Sequence, residues 1–175
     1  MRAVVVYESM YGNTHRVADA IGAGLQGSFE VTVVPVGGAD PAVLADAGLV
    51  VVGGPTHAHG MSRAATRQAA AEAAEKPGSD VTVEPGALGP GLREWFGPLG
   101  QYPVKAAAFD TRIHGPSAVT GRAAKGVTRL LRAHGFDVVA KPESFLVTRQ
   151  NMLDPGETNR AREWAAKLAA RIAPG

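Results

Sequence analysis

The sequence predicts an α/β fold built on a parallel sheet with helices over both faces. Three observations carry this. Short apolar runs alternate with longer stretches of helical periodicity, in the order β-α-β-(α)-β-α-β-α-β-α. Strands separated by helices pair in parallel through crossovers of one hand. The runs Ala3, Val4, Val5, Val6 and Leu49, Val50, Val51, Val52 are apolar at every position, which suits strands covered on both faces. At 175 residues the chain fits one domain, 1–175, with a sizeable core.

The elements follow in order. Arg2 to Tyr7 is a short strand, Glu8 to Thr14 a turn, and the next helix begins at Asn13 or Thr14 and runs to about Leu25. Val17, Ala18, Ile21 and Leu25 form its apolar stripe. Phe29 to Val36, rich in Val and Thr, is the second strand. Gly37, Gly38, Asp40 and Pro41 break it, and a helical turn or two reaches Ala47. Leu49 to Val52 is the central strand and ends in a loop from Gly53 to Ser62. Ser62 then caps a helix from Arg63 to about Lys76, stopped by Pro77 and Gly78. Within Asp80 to Gly100, Val81-Thr82-Val83 is either a strand-like excursion or a loop, and Leu92 to Phe96 is a short helix with Trp95 and Phe96 inward.

Pro103 to Phe109 is the fourth strand, ending at Asp110-Thr111-Arg112. Ala118 to His134 is a helix, apolar at Val119, Ala123, Val127, Leu130 and Leu131, closed by a left-handed Gly135. Phe136 to Lys141 starts the last strand, Pro142 interrupts it, and Glu143 to Val147 resumes it. After a loop from Arg149 to Pro155, the final helix puts Ala161, Trp164, Ala165 and Leu168 on one face. Asp154 and Glu157 near its start suit the helix dipole. Both tryptophans are expected to pack in the core or between helices.

Composition excludes several classes. The absence of cysteine removes disulfides, iron–sulfur centres and thiol redox chemistry. Electron chemistry would need a bound organic cofactor or a metal held by other ligands. No apolar run is long enough to span a membrane and no cleavable leader precedes the first strand, so a cytoplasmic protein is expected. The net charge is +2, spread along the chain, without the clustered face that nucleic-acid binding needs. Arg122, Lys125, Arg129 and Arg132 line part of one helix, either as a solvated face or as a patch for an acidic partner.

Three loops leave the carboxyl ends of strands one, three and four: Glu8 to Thr14, Gly54 to Met61, and Asp110 to Gly115. That edge is where open parallel sheets bind ligands. In the first, free N–H groups of the opening helical turn, with the hydroxyls of Ser9 and Thr14, form a phosphate-sized anion site. Gly12 allows close approach. The same hydroxyl-rich turn is also a plain helix cap. It is neither a Gly-x-Gly-x-x-Gly fingerprint nor a Gly-Lys-Ser/Thr loop. In the second loop His57 and His59 bracket Ala58. They read as solvent-facing histidines, as part of a metal site, or as part of a cofactor wall. Serine hydrolysis by Ser9, His57 and Asp110 is disfavoured, since no Gly-x-Ser-x-Gly elbow is present.

The stretch Tyr7 to Thr14, with Ser9-Met10-Tyr11-Gly12-Asn13-Thr14, resembles the phosphate loop of the flavodoxin-like superfamily. Its Ser9 to Gly12 portion also resembles flavodoxin-like NAD(P)H:quinone reductases, and the order of elements matches over nearly the whole chain. The resemblance implies a flavodoxin-like three-layer sandwich, a five-stranded parallel sheet of order 2-1-3-4-5, and FMN as cofactor. Carried over by position, it implies that Ser9, Met10, Tyr11, Gly12, Asn13 and Thr14 wrap the phosphate. Pro55, Thr56, His57, Ala58, His59 and Gly60 would cover one side of the flavin ring, and Phe109, Asp110, Thr111 and Arg112 would close over the other. Asp110 would either accept from the ring N3–H or cap the turn. Arg112 would offset charge on the reduced ring, hold the phosphate of a nicotinamide donor, or lie in solvent. After the last strand, Asn151, Met152 and Leu153, with Arg149, either border the same crevice or pack as ordinary loop residues.

The chain departs from the family pattern in having no Trp or other large aromatic in its second loop and no Tyr in its third, and in being weakly basic where flavodoxins are acidic. Two functions follow. One is an FMN flavoprotein, acting in electron transfer with a redox partner protein or as an NAD(P)H-linked oxidoreductase on an acceptor such as a quinone. The other is a flavodoxin-fold binding or regulatory domain with weak or lost flavin binding. The oligomeric state stays open.

Overall fold

The computed structural model describes residues 1–172. Its strands are β1 (Arg2–Tyr7), β2 (Glu30–Pro35), β3 (Ala47–His57), β4 (Gly60–Met61), β5 (Lys105–Ile113), β6 (Asp137–Val138) and β7 (Glu143–Val147). Its α-helices are α1 (Asn13–Leu25), α2 (Pro41–Leu44), α3 (Ala64–Ala74), α4 (Leu92–Phe96), α5 (Ser117–Thr120), α6 (Ala123–Ala133) and α7 (Glu157–Ile172). A single 3-10 turn covers Val36–Gly38.

The core strands run β2-β1-β3-β5, all parallel, and both β6 and β7 pair with the outer edge of β5. Counting the interrupted last strand once, this is the expected order 2-1-3-4-5. Pro142 has no N–H to give a ladder, and the strand breaks around it into β6 and β7. The small β4 is antiparallel to the end of β3, with Thr56 opposite Met61.

Side-chain alternation sorts the sheet into two faces. Val4, Val6, Val50, Val52, Ala106 and Ala108 meet α4 and α6 in one core. Ala3, Val5, Leu49, Val51, Ala107 and Phe109 meet α1 and α7 in the other. The central valines are fully buried, each contributing on the order of 2 kcal/mol of apolar burial. Gly24 lets α1 and α7 touch, since a Cβ there would lie 2.3 Å from the carbonyl oxygen of Arg162.

The helix expected from Ala118 to His134 is two helices. Gly121, at φ +76, separates α5 from α6, and Val119 is exposed rather than apolar-facing. Val81-Thr82-Val83 is loop. Ser62 does not cap α3. Arg63 is the flanking residue, and its N–H donates to Thr66 Oγ1 at 2.9 Å. Trp95 is buried and donates Nε1–H to the Ala39 carbonyl at 2.6 Å, whereas Trp164 is half-buried and edge-on to Phe145.

Candidate functional site

β1, β3 and β5 are parallel, so their carboxyl ends open on one edge of the sheet. There a crevice of about 130 Å³ is lined by Met10, Tyr11, Asn13 and Thr14 from the first loop, by Pro55, Thr56 and His57 from the second, and by Thr111 and Arg112 from the third. Ile113, Val147 and Asn151 complete its wall.

The first loop is braced from inside. Ser9 Oγ accepts from the Gly12 N–H at 3.1 Å. Gly12 sits at φ +87, a conformation costly to other residues, and no atom lies within 4 Å of where a Cβ would stand. The Tyr11 hydroxyl donates to the Ala70 carbonyl at 2.7 Å, and Met10 packs with Ala71 and Ala87. The Glu84 N–H donates to the Met10 carbonyl at 2.8 Å, so the loop after α3 clasps the turn. Asn13 Nδ2 donates to the Asn151 carbonyl at 2.6 Å.

Helix α1 then starts with no side-chain cap. Its first intrahelical bond is from the Arg16 N–H to the Gly12 carbonyl, which leaves the N–H groups of Asn13, Thr14 and His15 beyond the reach of the helix's own carbonyls. The starts of α4 and α6 differ. Leu92 N–H donates to Glu8 at 2.8 Å. Ala123 N–H donates to Thr56 Oγ1 at 3.0 Å, and Ala124 N–H to Asp110 Oδ2 at 2.8 Å. Of these three helix starts, only at α1 does no side chain accept from a first-turn N–H group.

Seven of the expected residues, Ser9, Gly12, Ala58, His59, Gly60, Phe109 and Asp110, are not on the crevice wall. Phe109 is fully buried, packed over Gly53 and edge-on to Phe145. Asp110 is fully buried against α6. Burial pushes its carboxyl above the usual range, against the pull of the Ala124 N–H. Its Oδ2 accepts from the Ala124 N–H at 2.8 Å, at the start of α6. An aromatic and a carboxylate at the end of a central strand look like ligand residues in sequence. The strand runs on to Ile113, so both remain inside the sheet.

Arg112 reaches the crevice, but its Nη1 donates to the Gly115 carbonyl at 2.8 Å and to Thr120 Oγ1 at 3.0 Å. It holds the third loop in place. Ala58 and His59 form the turn between β3 and β4, and Gly60 opens β4 opposite His57. Ala58 and His59 have positive φ, 44 and 73, which non-glycine residues rarely adopt outside sites held by their surroundings. The backbone of His59 presses on Gly121, where a Cβ would lie 2.1 Å from the His59 carbonyl oxygen. Among the described residues no cluster of three or more His, Asp or Glu side chains is placed to hold a metal ion.

A buried polar cluster behind the second loop was not anticipated. Glu8 accepts from Ser62 Oγ and from Leu92 N–H, and Arg67 Nη1 donates to Ser62 Oγ at 2.9 Å and Nη2 to Glu94 at 3.3 Å. Glu8, Ser62 and Arg67 are all buried. His57 lies near this cluster. Burial lowers its pKa from the ordinary 6.5, Glu8 pulls it up, and Arg67 pushes it down, so the ring is neutral at pH 7.

The class these features define is a flavodoxin-like α/β protein with a crevice at the ends of β1, β3 and β5. Residues 5–102 match the family model for flavodoxin, and the chain belongs to the flavodoxin family. Its fold is similar to that of oxidised Flavodoxin 1 from Bacillus cereus, with 18% identity over 98% of this chain and 99% of that one, TM-score 0.66. It is similar to a WrbA-like flavodoxin from Agrobacterium tumefaciens, with 20% identity over 98% and 96%, TM-score 0.57. It is also similar to part of a flavodiiron protein from Giardia intestinalis, with 21% identity over 98% of this chain and 36% of that one, TM-score 0.61. No curated protein matches the sequence. Among the described residues no helix is long and apolar enough to cross a membrane.

Proposed function

We propose that this chain binds FMN at the crevice and works as an electron-transfer flavoprotein or an NAD(P)H-linked oxidoreductase. The observation that carries the proposal is the uncapped start of α1, opening on a crevice bordered by the Thr14 and Thr111 hydroxyls. Three N–H groups and the positive end of a helix dipole suit a phosphate dianion. Thr14 and Thr111 share one hydrogen bond, at 2.7 Å. Two hydroxyls carry two protons, so one remains to donate to a ligand.

In this assignment the turn Ser9 to Thr14 holds the phosphate. Pro55, Thr56 and His57 flank the ring on one side, and Thr111 and Arg112 on the other. Bound FMN would supply one- or two-electron redox chemistry, which a chain without cysteine has no side chains to supply. The chain's own residues bind, orient and set the local charge. Neutral His57 offers one ring nitrogen as donor and the other as acceptor. The fold similarity to flavodoxins supports the assignment. So does the left-handed Gly12, because it lets backbone approach an anion.

A second function, a flavodoxin-fold binding or regulatory domain without tight flavin, is favoured by one feature. The only aromatic carbocycle on the crevice wall is Tyr11, and its hydroxyl is committed to Ala70. Titration of the purified protein with FMN separates the two. Saturable one-to-one binding, followed by NAD(P)H oxidation with a quinone acceptor, supports the first. No retention of FMN at micromolar concentration removes it.

A further inference from the structure

A cavity larger than the crevice lies elsewhere on the molecule. A groove of about 980 Å³ runs along the outer edge of the sheet between α6 and α7. Its rim carries Lys125, Arg129 and Arg132 from α6, Lys141 from the sheet edge, and Lys167 and Arg171 from α7. All six are exposed. None makes an ion pair among the described residues. The one carboxylate on the rim, Glu143, is held by Arg160.

The whole chain carries only +2, so this groove is a local concentration of charge and the remaining surface is net acidic. The arrangement also works against the isolated protein. Lys125 and Arg129 stand four residues apart on α6, as do Lys167 and Arg171 on α7. Like charges at that spacing destabilise a helix by a few tenths of a kcal/mol each, roughly. A surface that only needed solubility would intersperse the signs.

The floor is apolar, made of Val138, Val139, Ala140 and Trp164. A cationic rim over an apolar floor matches a ligand with carboxylates along its sides and apolar side chains beneath. Single-stranded nucleic acid uses successive aromatic platforms, and here one tryptophan stands alone, edge-on to Phe145. We infer that the α6–α7 groove is a docking site for an acidic, amphipathic segment of a partner protein.

The groove leads toward the ligand edge. Lys125 and Arg129 also border a second depression of about 480 Å³, which extends to His59 and Gly60 at the β3–β4 turn. A partner that extends from the groove across this depression would reach the turn beside the crevice. Its service as an electron partner rests on the flavin proposal, whereas docking itself does not.

The test uses the full chain and a fluorescein-labelled amphipathic peptide with Glu on one face and Leu on the other. The controls are a peptide of equal charge with Ser in place of Leu, and oligothymidine of equal charge. The expected result is saturable binding of the Glu/Leu peptide that weakens as salt rises, and is about tenfold tighter than that of either control. Lys167→Glu with Arg171→Glu on one wall, and Arg129→Glu with Arg132→Glu on the other, should each weaken it by about tenfold or more while far-UV dichroism stays unchanged. Absence of binding, equal binding of the Ser peptide, tighter binding of oligothymidine, or indifference to both charge reversals would overturn the inference. FMN titration of the same variants keeps the two proposals apart: peptide binding without FMN binding leaves the groove and removes the flavin.

Discussion

Thr14 Oγ1 and Thr111 Oγ1 lie 2.7 Å apart, both residues buried, and they join the start of α1 to the end of β5 across 97 positions of sequence. The pair fixes the distance between two of the three loops that frame the crevice. Replacing Thr14 with Ala removes a donor and also frees the turn from β5. FMN affinity should fall by roughly 1–3 kcal/mol. Thr111→Val keeps shape and loses only the tether, so a loss of about 1 kcal/mol is expected. Quenching of FMN fluorescence on titration measures both. Undiminished affinity in Thr14→Ala takes Thr14 out of the site.

The buried cluster at Glu8 gives the second prediction. Glu8 and Arg67 meet through the Ser62 hydroxyl, and Glu8 also holds the first N–H of α4. Glu8→Ala leaves a buried guanidinium with only Glu94, itself half-exposed, as its charged partner. Breaking such a set from one side costs about 3–5 kcal/mol. Glu8→Gln keeps an acceptor for Leu92 N–H and should cost less, about 1–3 kcal/mol. Urea unfolding gives both values, and a change within about 0.5 kcal/mol for Glu8→Ala contradicts the account.

Much of this fold was legible because its strands are unambiguous. The uninterrupted valines of β1 and β3 fit a doubly covered sheet and little else, and the stripe on α1 names its own buried face. The strand–turn–helix from β1 to α1 is legible too, since Ser9, Gly12 and Thr14 bring hydroxyls, a glycine and a helix start together within six residues. What stays hidden in the sequence shares one cause. Ser62, Phe109 and Asp110 have partners that lie far away along the chain: Glu8 for Ser62, Phe145 for Phe109, Ala124 for Asp110. Period and propensity carry no information about such pairs. The extension of β5 to Ile113 was hidden for a related reason. Asp110, Thr111 and Arg112 look like a loop, and only pairing with Ser144, Phe145 and Leu146 makes them a strand.

Glu157 supplies a pH prediction. It accepts from Leu146 N–H at 2.6 Å and from Arg160, and so ties α7 to β7. Burial alone would raise its pKa, but Arg160 and the Leu146 N–H hold it below the ordinary 4.5. A carboxyl with a depressed folded pKa contributes stability that is present above its unfolded value and is lost as pH falls through the folded value. The native protein should therefore exceed Glu157→Gln by about 1–3 kcal/mol at pH 7. That advantage should persist to about pH 5 and shrink below it. Thermal unfolding from pH 7 down to about 3 tests this. A pH-independent gap would show that shape, not charge, is what Glu157 provides.

His57 sits where the crevice meets the Glu8 cluster, and its titration reports on both. Burial is the main cause of its lowered pKa, opposed by Glu8 and assisted by Arg67. The ring should titrate below the ordinary 6.5. Between that lowered midpoint and 6.5 the unfolded chain binds the extra proton, so stability rises with pH through this window and levels off above it. Glu8→Gln removes the charge that favours the imidazolium and should lower the midpoint further, provided the fold survives. Proton NMR of the ring follows both shifts, and a midpoint that rises in Glu8→Gln reverses the assignment. In His57→Gln the acid-side slope of stability should flatten with little change in melting temperature at pH 7. If the crevice holds FMN, the same substitution should change the reduction potential or the NAD(P)H rate, because it alters a group on the wall and not one in the core. A change in melting temperature alone would move His57 out of the site and leave it a purely structural part of the turn.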